Sequence, residues 1–209
     1  MAGTVRRLLR TVLAYQVSDL VSKPLAILLL PVYTRHLTSS DYGVAELLGS
    51  AVVFASIVIR LGIGESFVRF HYEQLDAHGR DLLARRAVLT LLCVSTTACV
   101  VLGLAAGPIS QVVLDVHDPQ IVRIAVLGLW AFSNLELAQA LLRVEERARE
   151  YAMFSITNVF ITVSLTVWLV VFAGKGAGGL LFGNYAASAV VLVAMWIWER
   201  ERLRAKPGE

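Results

Sequence analysis

The stretch Ala87–Ala106, AVLTLLCVSTTACVVLGLAA, decides the fold class of this 209-residue chain. Its 20 residues include no charged side chain, and about 20 apolar residues are what an α-helix needs to cross the hydrocarbon core of a bilayer. Cys93 and Cys99 both lie inside it, and a single span offers no geometry for a disulfide between them. The stretch therefore predicts a membrane-spanning helix.

Further apolar stretches of similar length flank it on both sides. The chain is 57% hydrophobic and 17% charged, with a mean hydropathy of +0.68, whereas a soluble domain is about 45–50% apolar and about 25% charged. We therefore predict an all-α integral membrane protein, a six-transmembrane-helix bundle over residues 1–198 with a charged cytoplasmic tail over 199–209. The predicted spans are Thr11–Tyr33, Tyr42–Ile63, Ala87–Ala106, Ile121–Leu142, Ala152–Phe172 and Leu180–Trp198.

The connections between these spans differ in length and charge. Gly64–Arg86 is a long charged connection, and Gly107–Gln120 includes a stretch, Ile109–Val116, that is long enough only for a short interfacial helix. Arginine and lysine concentrate in the N-terminal segment, in alternate connections and in the tail, so the positive-inside rule places both termini in the cytoplasm. This topology explains the net charge of +3 without any nucleic-acid partner, and membrane lipids are the expected contacts of these side chains.

Ionisable residues inside predicted spans are the first candidates for function, because such residues are costly in a bilayer and usually face a bundle interior or a wet cavity. Tyr15, Asp19 and Lys23 are spaced i, i+4 and i+8 and share one face of the first span. This face either lines a polar cavity, which we favour, or holds an Asp19–Lys23 pair that only neutralises itself.

The second and fourth spans carry further candidates. Glu46 and Arg60 lie near opposite ends of the second span, and Arg60 either faces a substrate or extends to the interface. Glu136 lies deeper in the fourth span, so it requires a partner or a proton, and Asn134 and Gln139 lie beside it.

The fifth span has a polar stripe at helical spacing. Ser155, Asn158, Thr162 and Thr166 follow one another at i, i+3, i+7 and i+11. Hydrogen bonding between helices is the favoured explanation for this stripe, and lining of a cavity is the alternative. Since polar faces occur in several helices, the spans are expected to surround a shared interior, as in a transporter.

No enzymatic motif was found along the chain. The sequence contains no P-loop, no dinucleotide-binding glycine pattern, no HExxH and no CxxC. The four histidines lack metal-ligand spacing. We therefore predict neither an enzyme nor a metal site, and no cofactor is indicated.

Three segments resemble the polysaccharide-transport branch of the multidrug/oligosaccharidyl-lipid/polysaccharide flippase superfamily, the Wzx-like O-antigen flippases. Leu30–Leu47, LPVYTRHLTSSDYGVAEL, is similar to the branch's signature between its first two helices. Leu141–Tyr151, LLRVEERAREY, resembles the connection between helices four and five. Gly174–Gly183, GKGAGGLLFG, resembles the glycine-rich turn before helix six.

This resemblance implies a flippase that moves undecaprenyl-diphosphate-linked oligosaccharide across the bacterial plasma membrane for surface polysaccharide synthesis. It implies that cations in a central cleft receive the diphosphate, a part that Lys23 and Arg60 can take here, while Asp19 and Glu136 modulate charge or take a coupling proton. A multidrug or cation antiporter of the related branch, and a non-transporting membrane partner of the glycan assembly machinery, are the alternatives.

The chain departs from the resembling proteins in size. They have two lobes that rock against one another, and this chain has the expected helices of one, the N-terminal lobe. The expectation is therefore either a truncated or split reading frame, or a protein that pairs with itself or with a second six-helix lobe.

Overall fold

The computed structural model describes residues 16, 20–25, 27–60, 62–73, 77–114 and 118–200. Within these ranges the chain is helical apart from short turns, and no strand is present. Residues 20–25 and 27–36 are helical and are called α1. The following helices are α2 (Ser39–Arg60), α3 (Ile63–Glu73), α4 (Ala77–Leu104), α5 (Ala106–Leu114), α6 (Pro119–Val144), α7 (Ala148–Val167, continued by a π-helical turn Trp168–Phe172) and α8 (Gly176–Trp198).

Five of the described helices are long and apolar enough to cross a membrane: Ser39–Arg60, Gly79–Leu104, Pro119–Val144, Ala148–Phe172 and Gly176–Trp198. Each overlaps one of the predicted spans, so the chain is an all-α, multi-pass membrane bundle. The predicted first span, Thr11–Tyr33, lies partly outside the described residues. Both cysteines are free, as the spacing predicts.

The charged connection predicted over Gly64–Arg86 is itself mostly helical. Ile63 and Phe67 share one face of α3, and Phe67 is buried against Ala84 and Val144. Charged residues excluded this segment from the predicted spans, but arginine and leucine are good helix formers, so α4 begins ten residues before Ala87. A short helix overlaps the predicted stretch Ile109–Val116 as α5, which begins three residues earlier, at Ala106.

Helix α6 lies at the centre of the bundle, in contact with α2, α4 and α8. In the most apolar 18 residues of α6, 67% of the residues are buried, whereas the same measure is 17–28% in α2, α4 and α7. Small residues allow this close packing: a Cβ at Gly128 of α6 would lie 2.4 Å from the ring of Tyr185 in α8. Such close approach is typical of helix contacts in membranes, where no hydrophobic effect drives the helices together.

The turn between α1 and α2 lies at one end of the bundle, and the turn between α6 and α7 lies at the opposite end. At one end, called the α1–α2 end, Thr38 and Asp41 form a capping box at the start of α2: the Thr38 hydroxyl accepts from Asp41 N–H at 3.1 Å, and the Asp41 carboxylate accepts from Thr38 N–H at 3.4 Å. The turn before α8 contacts the same carboxylate, since a Cβ at Gly176 would lie 3.2 Å from Asp41 Oδ1. The opposite end is called the α6–α7 end.

Candidate functional site

A polar cleft of about 370 Å³ opens between α1, α2, α7 and α8. The polar side chains in its lining come from all four helices, and leucine and valine side chains complete the wall. The polar cleft is defined by its polar residues: Ser22, Tyr33, Tyr42, Glu46, Asn158, Thr162 and Asn184. Five of these side chains lie on α2, α7 and α8, which are long and apolar enough to cross a membrane, so contact with water, a solute or another polar surface is more favourable for them than contact with lipid.

The hydrogen bonds around the cleft join helices that are distant in sequence. Tyr33 of α1 and Thr166 of α7 share a hydrogen bond of 2.9 Å between their hydroxyl groups. The Thr166 hydroxyl also donates a hydrogen bond to the carbonyl of Thr162 at 2.7 Å. Thr166 of the polar stripe therefore links α7 to α1. In the same wall Tyr42 interacts with the carboxylate of Glu46 one turn further along α2.

Asn158 has a buried oxygen atom for which the described part of the chain provides no donor. Its Oδ1 atom is inaccessible to solvent in the isolated chain and has no hydrogen-bond partner among the described residues. An unsatisfied buried carbonyl oxygen costs about 1–3 kcal/mol. A rotation of the side chain that opens Oδ1 to the cleft would allow a bound solute or water to donate to it and remove that cost, which makes Asn158 a candidate contact residue of the cleft.

The predicted site residues divide into separate groups. The structure brings Glu46, Asn158 and Thr162 together in the polar cleft. Lys23 is exposed on α1 and does not line the cleft, although the adjacent Ser22 does. Tyr15 and Asp19 lie outside the described residues.

Arg60 and Glu136 meet at a second place, between α2 and α6. Arg60 Nη1 donates to Glu136 Oε2 at 3.1 Å, and both side chains are partly buried. Arg60 Nε also donates to the carbonyl of Ser56 at 3.3 Å. The partner that Glu136 requires is therefore Arg60, and this pair lies toward the α6–α7 end, apart from the polar cleft.

Asn134 and Gln139 belong to neither group. Asn134 is buried, and its Nδ2 donates to Ser95 Oγ of α4 at 3.0 Å and to the carbonyl of Trp130 at 2.8 Å. Gln139 is half-buried on α6. Asn134 therefore fastens α4 to α6, as polar side chains often do in membrane bundles.

Sequence reasoning missed the two tyrosines of the cleft and the ion pairs at the α6–α7 end. Tyr33 and Tyr42 stand inside the segment Leu30–Leu47, so their place in that motif was the available signal. The polarity pattern alone did not mark these tyrosines as site residues, because tyrosine is common at the ends of membrane spans, where it lies at the interface with water.

Arg147 joins the turn between α6 and α7 to the end of α8. Its guanidinium contacts Glu199 directly, Glu150 at 3.4 Å and Glu145 at 3.6 Å. Burial lowers the pKa of Arg147, but its hydrogen bond to Glu199 and the three carboxylates together raise that pKa above its ordinary value. Arg143 lies over the ring of Tyr151 at 5.7 Å, so the RVEERAREY segment holds the turn in shape.

The described residues include no group of three or more His, Cys, Asp or Glu side chains that could hold a metal ion. The site therefore consists of hydroxyl, amide and carboxylate groups in a cleft, with the Arg60–Glu136 ion pair toward the other end of α2. Such an arrangement can bind a polar solute by hydrogen bonds.

Comparison with known proteins agrees with this architecture. A family model described as polysaccharide biosynthesis protein matches residues 32–207, most of the chain. Neither the curated proteins nor the solved structures contain a significant match. The chain is thus a member of the polysaccharide biosynthesis protein family.

Proposed function

We propose that this chain is one lobe of a transporter that moves undecaprenyl-diphosphate-linked oligosaccharide across the bacterial plasma membrane. Membership of a polysaccharide biosynthesis family and a multi-pass helical bundle support a transporter-type protein rather than an enzyme. The charge distribution of the loops supports cytoplasmic termini, with the α1–α2 end outside.

The polar cleft is the observation that carries this proposal. Hydroxyl and amide groups such as Tyr33, Asn158 and Asn184 are donors and acceptors of the kind that sugar hydroxyls require. A protein that serves only as a membrane anchor does not need polar side chains that converge from four helices, three of which are long and apolar enough to cross a membrane. A second lobe, or a second copy of the chain, would close the cleft and provide alternating access.

Lys23 and Arg60 are the proposed contacts for the diphosphate. Lys23 is exposed one position from Ser22 of the cleft. Arg60 is held by Glu136, so a phosphate oxygen would have to replace the Glu136 carboxylate as its partner. Protonation of Glu136, or of Asp19 in the segment outside the described residues, would then couple to substrate binding.

Complementation of a bacterial strain that lacks its own O-unit flippase tests the proposal. The chain is expressed alone and together with a C-terminal lobe, and surface polysaccharide is measured. We expect polysaccharide in at least one case and its loss in Lys23→Glu and Arg60→Glu, with Arg149→Glu, an exposed arginine at the α6–α7 end, as the control. Absence of polysaccharide in both cases, or full function of both variants, would contradict it.

A cation antiporter is the second candidate, and one observation favours it. Among the described lining residues of the polar cleft, Glu46 is the one carboxylic acid, and none is a lysine, an arginine or a histidine, so the cleft is acidic rather than basic. An acidic polar cleft suits a cationic drug or a coupling proton. Efflux of a cationic dye that is lost in Glu46→Gln, without complementation of the flippase strain, would support this candidate instead.

A further inference from the structure

A second cavity, of about 450 Å³, lies on the outside of the bundle between α4 and α6. This α4–α6 groove shares no lining residue with the polar cleft, and its walls are mostly apolar. Val100 is 56% exposed and Leu127 is 69% exposed, so the groove is open to the membrane. Its lining consists of Thr96, Cys99, Val100, Gly103, Arg123, Val126, Leu127 and Trp130.

Two hydrogen bonds fix how the walls of the groove are aligned. Trp130 Nε1 donates to Thr96 Oγ1 at 3.1 Å, and the Cys99 thiol donates to the carbonyl of Val126 at 3.3 Å. The helices are antiparallel, so this alignment places Gly103 level with Arg123. The groove therefore runs for about seven residues, or about 10 Å, from the Thr96–Trp130 pair to the gap between Gly103 and Arg123.

Gly103 leaves that end of the groove open. A Cβ at this position would meet nothing within 4 Å, so the space beside Arg123 is not filled by the protein. At the other end, the Thr96 and Trp130 polar groups satisfy one another. The groove thus has an apolar floor, one polar end that is already paired, and one end that carries a cation.

Arg123 is the unusual feature of this surface. It is exposed four residues after the start of α6, about 6 Å along the helix. Among the residues that the structure describes, no hydrogen bond or ion pair to Arg123 is found. A cation at that depth is unfavourable unless it reaches the interface or meets an anion, and lipid phosphate is the anion available there.

We propose that the α4–α6 groove is a binding site for an anionic phospholipid of the membrane, with the phosphate on Arg123 and one acyl chain along the groove. Charge complementarity selects this occupant, because an apolar groove that ends in a cation matches an acyl chain that ends in a phosphate. The space at Gly103 admits the first part of the chain beside the guanidinium. This site is independent of substrate transport through the polar cleft.

Native mass spectrometry of the purified chain tests the role of the charge. The protein is exchanged with phosphatidylglycerol or phosphatidylcholine, and the lipid retained is measured. We expect Arg123→Gln to reduce phosphatidylglycerol retention about fivefold. This is the factor in affinity that corresponds to the attraction between one interfacial arginine and an anionic lipid surface. Arg35→Gln, which removes another exposed arginine at the α1–α2 end, should leave retention unchanged.

A second variant tests the groove itself. Gly103→Phe should fill it without a clash inside the protein and abolish retention of both lipids at this site, while the melting temperature in lipid-free detergent stays unchanged. Gly43→Phe, at an exposed position where a Cβ also meets nothing within 4 Å, is the control. Equal retention of the two lipids by the wild type, unchanged retention in Arg123→Gln, or preference for a polyprenyl phosphate would overturn the proposal.

Discussion

Arg60 and Glu136 neutralise one another across two membrane-spanning helices. The two residues are 76 positions apart, and their pairing depends on how α2 packs against α6. The sequence indicated that Glu136 needs a partner or a proton, because an isolated carboxylate is costly in a span. It could not show which one, because helical periodicity gives the face of each helix but not which faces meet.

A double-mutant cycle on this pair should show coupling between the two charges. We expect the losses of stability in Arg60→Gln and in Glu136→Gln to add up to more than the loss in the double variant. The reason is that each single variant leaves one partly buried charge unpaired, whereas the double variant leaves none. The coupling energy should be about 1 kcal/mol, measured by unfolding in detergent micelles. Additive effects would show that the contact at 3.1 Å does not contribute to stability.

Arg147 permits a prediction about pH. A base whose folded-state pKa is raised contributes stability at all pH values below its unfolded pKa and loses it only as pH rises through the higher folded pKa. Arg147→Gln should therefore lower the melting temperature by the same amount at pH 7 and at pH 9. A difference that shrinks between these pH values would mean that another titrating group controls the contact.

Arg147→Lys separates charge from geometry at the same position. A lysine ammonium keeps the charge but lacks the planar set of donors with which the guanidinium contacts carboxylates of Glu145, Glu150 and Glu199. We therefore expect only partial recovery of the melting temperature relative to Arg147→Gln. Full recovery would show that charge alone holds the turn.

At the scale of the helices, the glycine-rich segment Gly174–Gly183 has a physical explanation. Gly174 and Gly176 adopt positive φ angles of 60° and 55°, which suit glycine in the turn before α8. Gly179 and Gly183 instead allow close packing, since a Cβ at Gly183 would lie 2.8 Å from Cα of Thr166. The spacing of the motif thus combines a turn requirement with a helix-packing requirement.

Gly183→Ala should separate α7 from α8. The added methyl group would lie 2.5–2.9 Å from Thr166, including two backbone atoms that cannot move independently of the helix. We expect a loss of about 1–3 kcal/mol, as is typical of overpacking, seen as a lower melting temperature in detergent. Gly43→Ala in α2, where the Cβ meets nothing within 4 Å, should raise stability by up to about 1 kcal/mol, because alanine is the better helix former. Equal stability of the two variants would contradict the packing role.

Hydropathy was enough to predict the fold class, because the length and apolarity of a span are local properties. Five of the predicted spans each overlap a described helix that is long and apolar enough to cross a membrane, whereas the amphipathic helix α3 was not predicted because of its charged residues. The candidate site was only partly predictable. Glu46, Asn158 and Thr162 were recognised as polar residues in spans, but their meeting in one cleft is a property of the tertiary packing.

At the scale of the whole molecule, the function depends on whether the polar cleft holds water or faces lipid. Asn184 and Val190 lie on the same helix, α8, and both are exposed. Asn184 lines the polar cleft, whereas Val190 is not among its lining residues. The two positions therefore form a matched pair for cysteine labelling.

In a background with Cys93 and Cys99 replaced by alanine, Asn184→Cys should react with a membrane-impermeant maleimide much faster than Val190→Cys. The reason is that the reagent and the reactive thiolate both require water, which an apolar lipid-facing surface excludes. Labelling of intact cells, compared with labelling of inverted vesicles, also reveals the side from which the cleft is reached. If neither cysteine reacts from either side, the cleft is closed by lipid or by another helix, and a hydrated path for a sugar-bearing substrate through this lobe is ruled out.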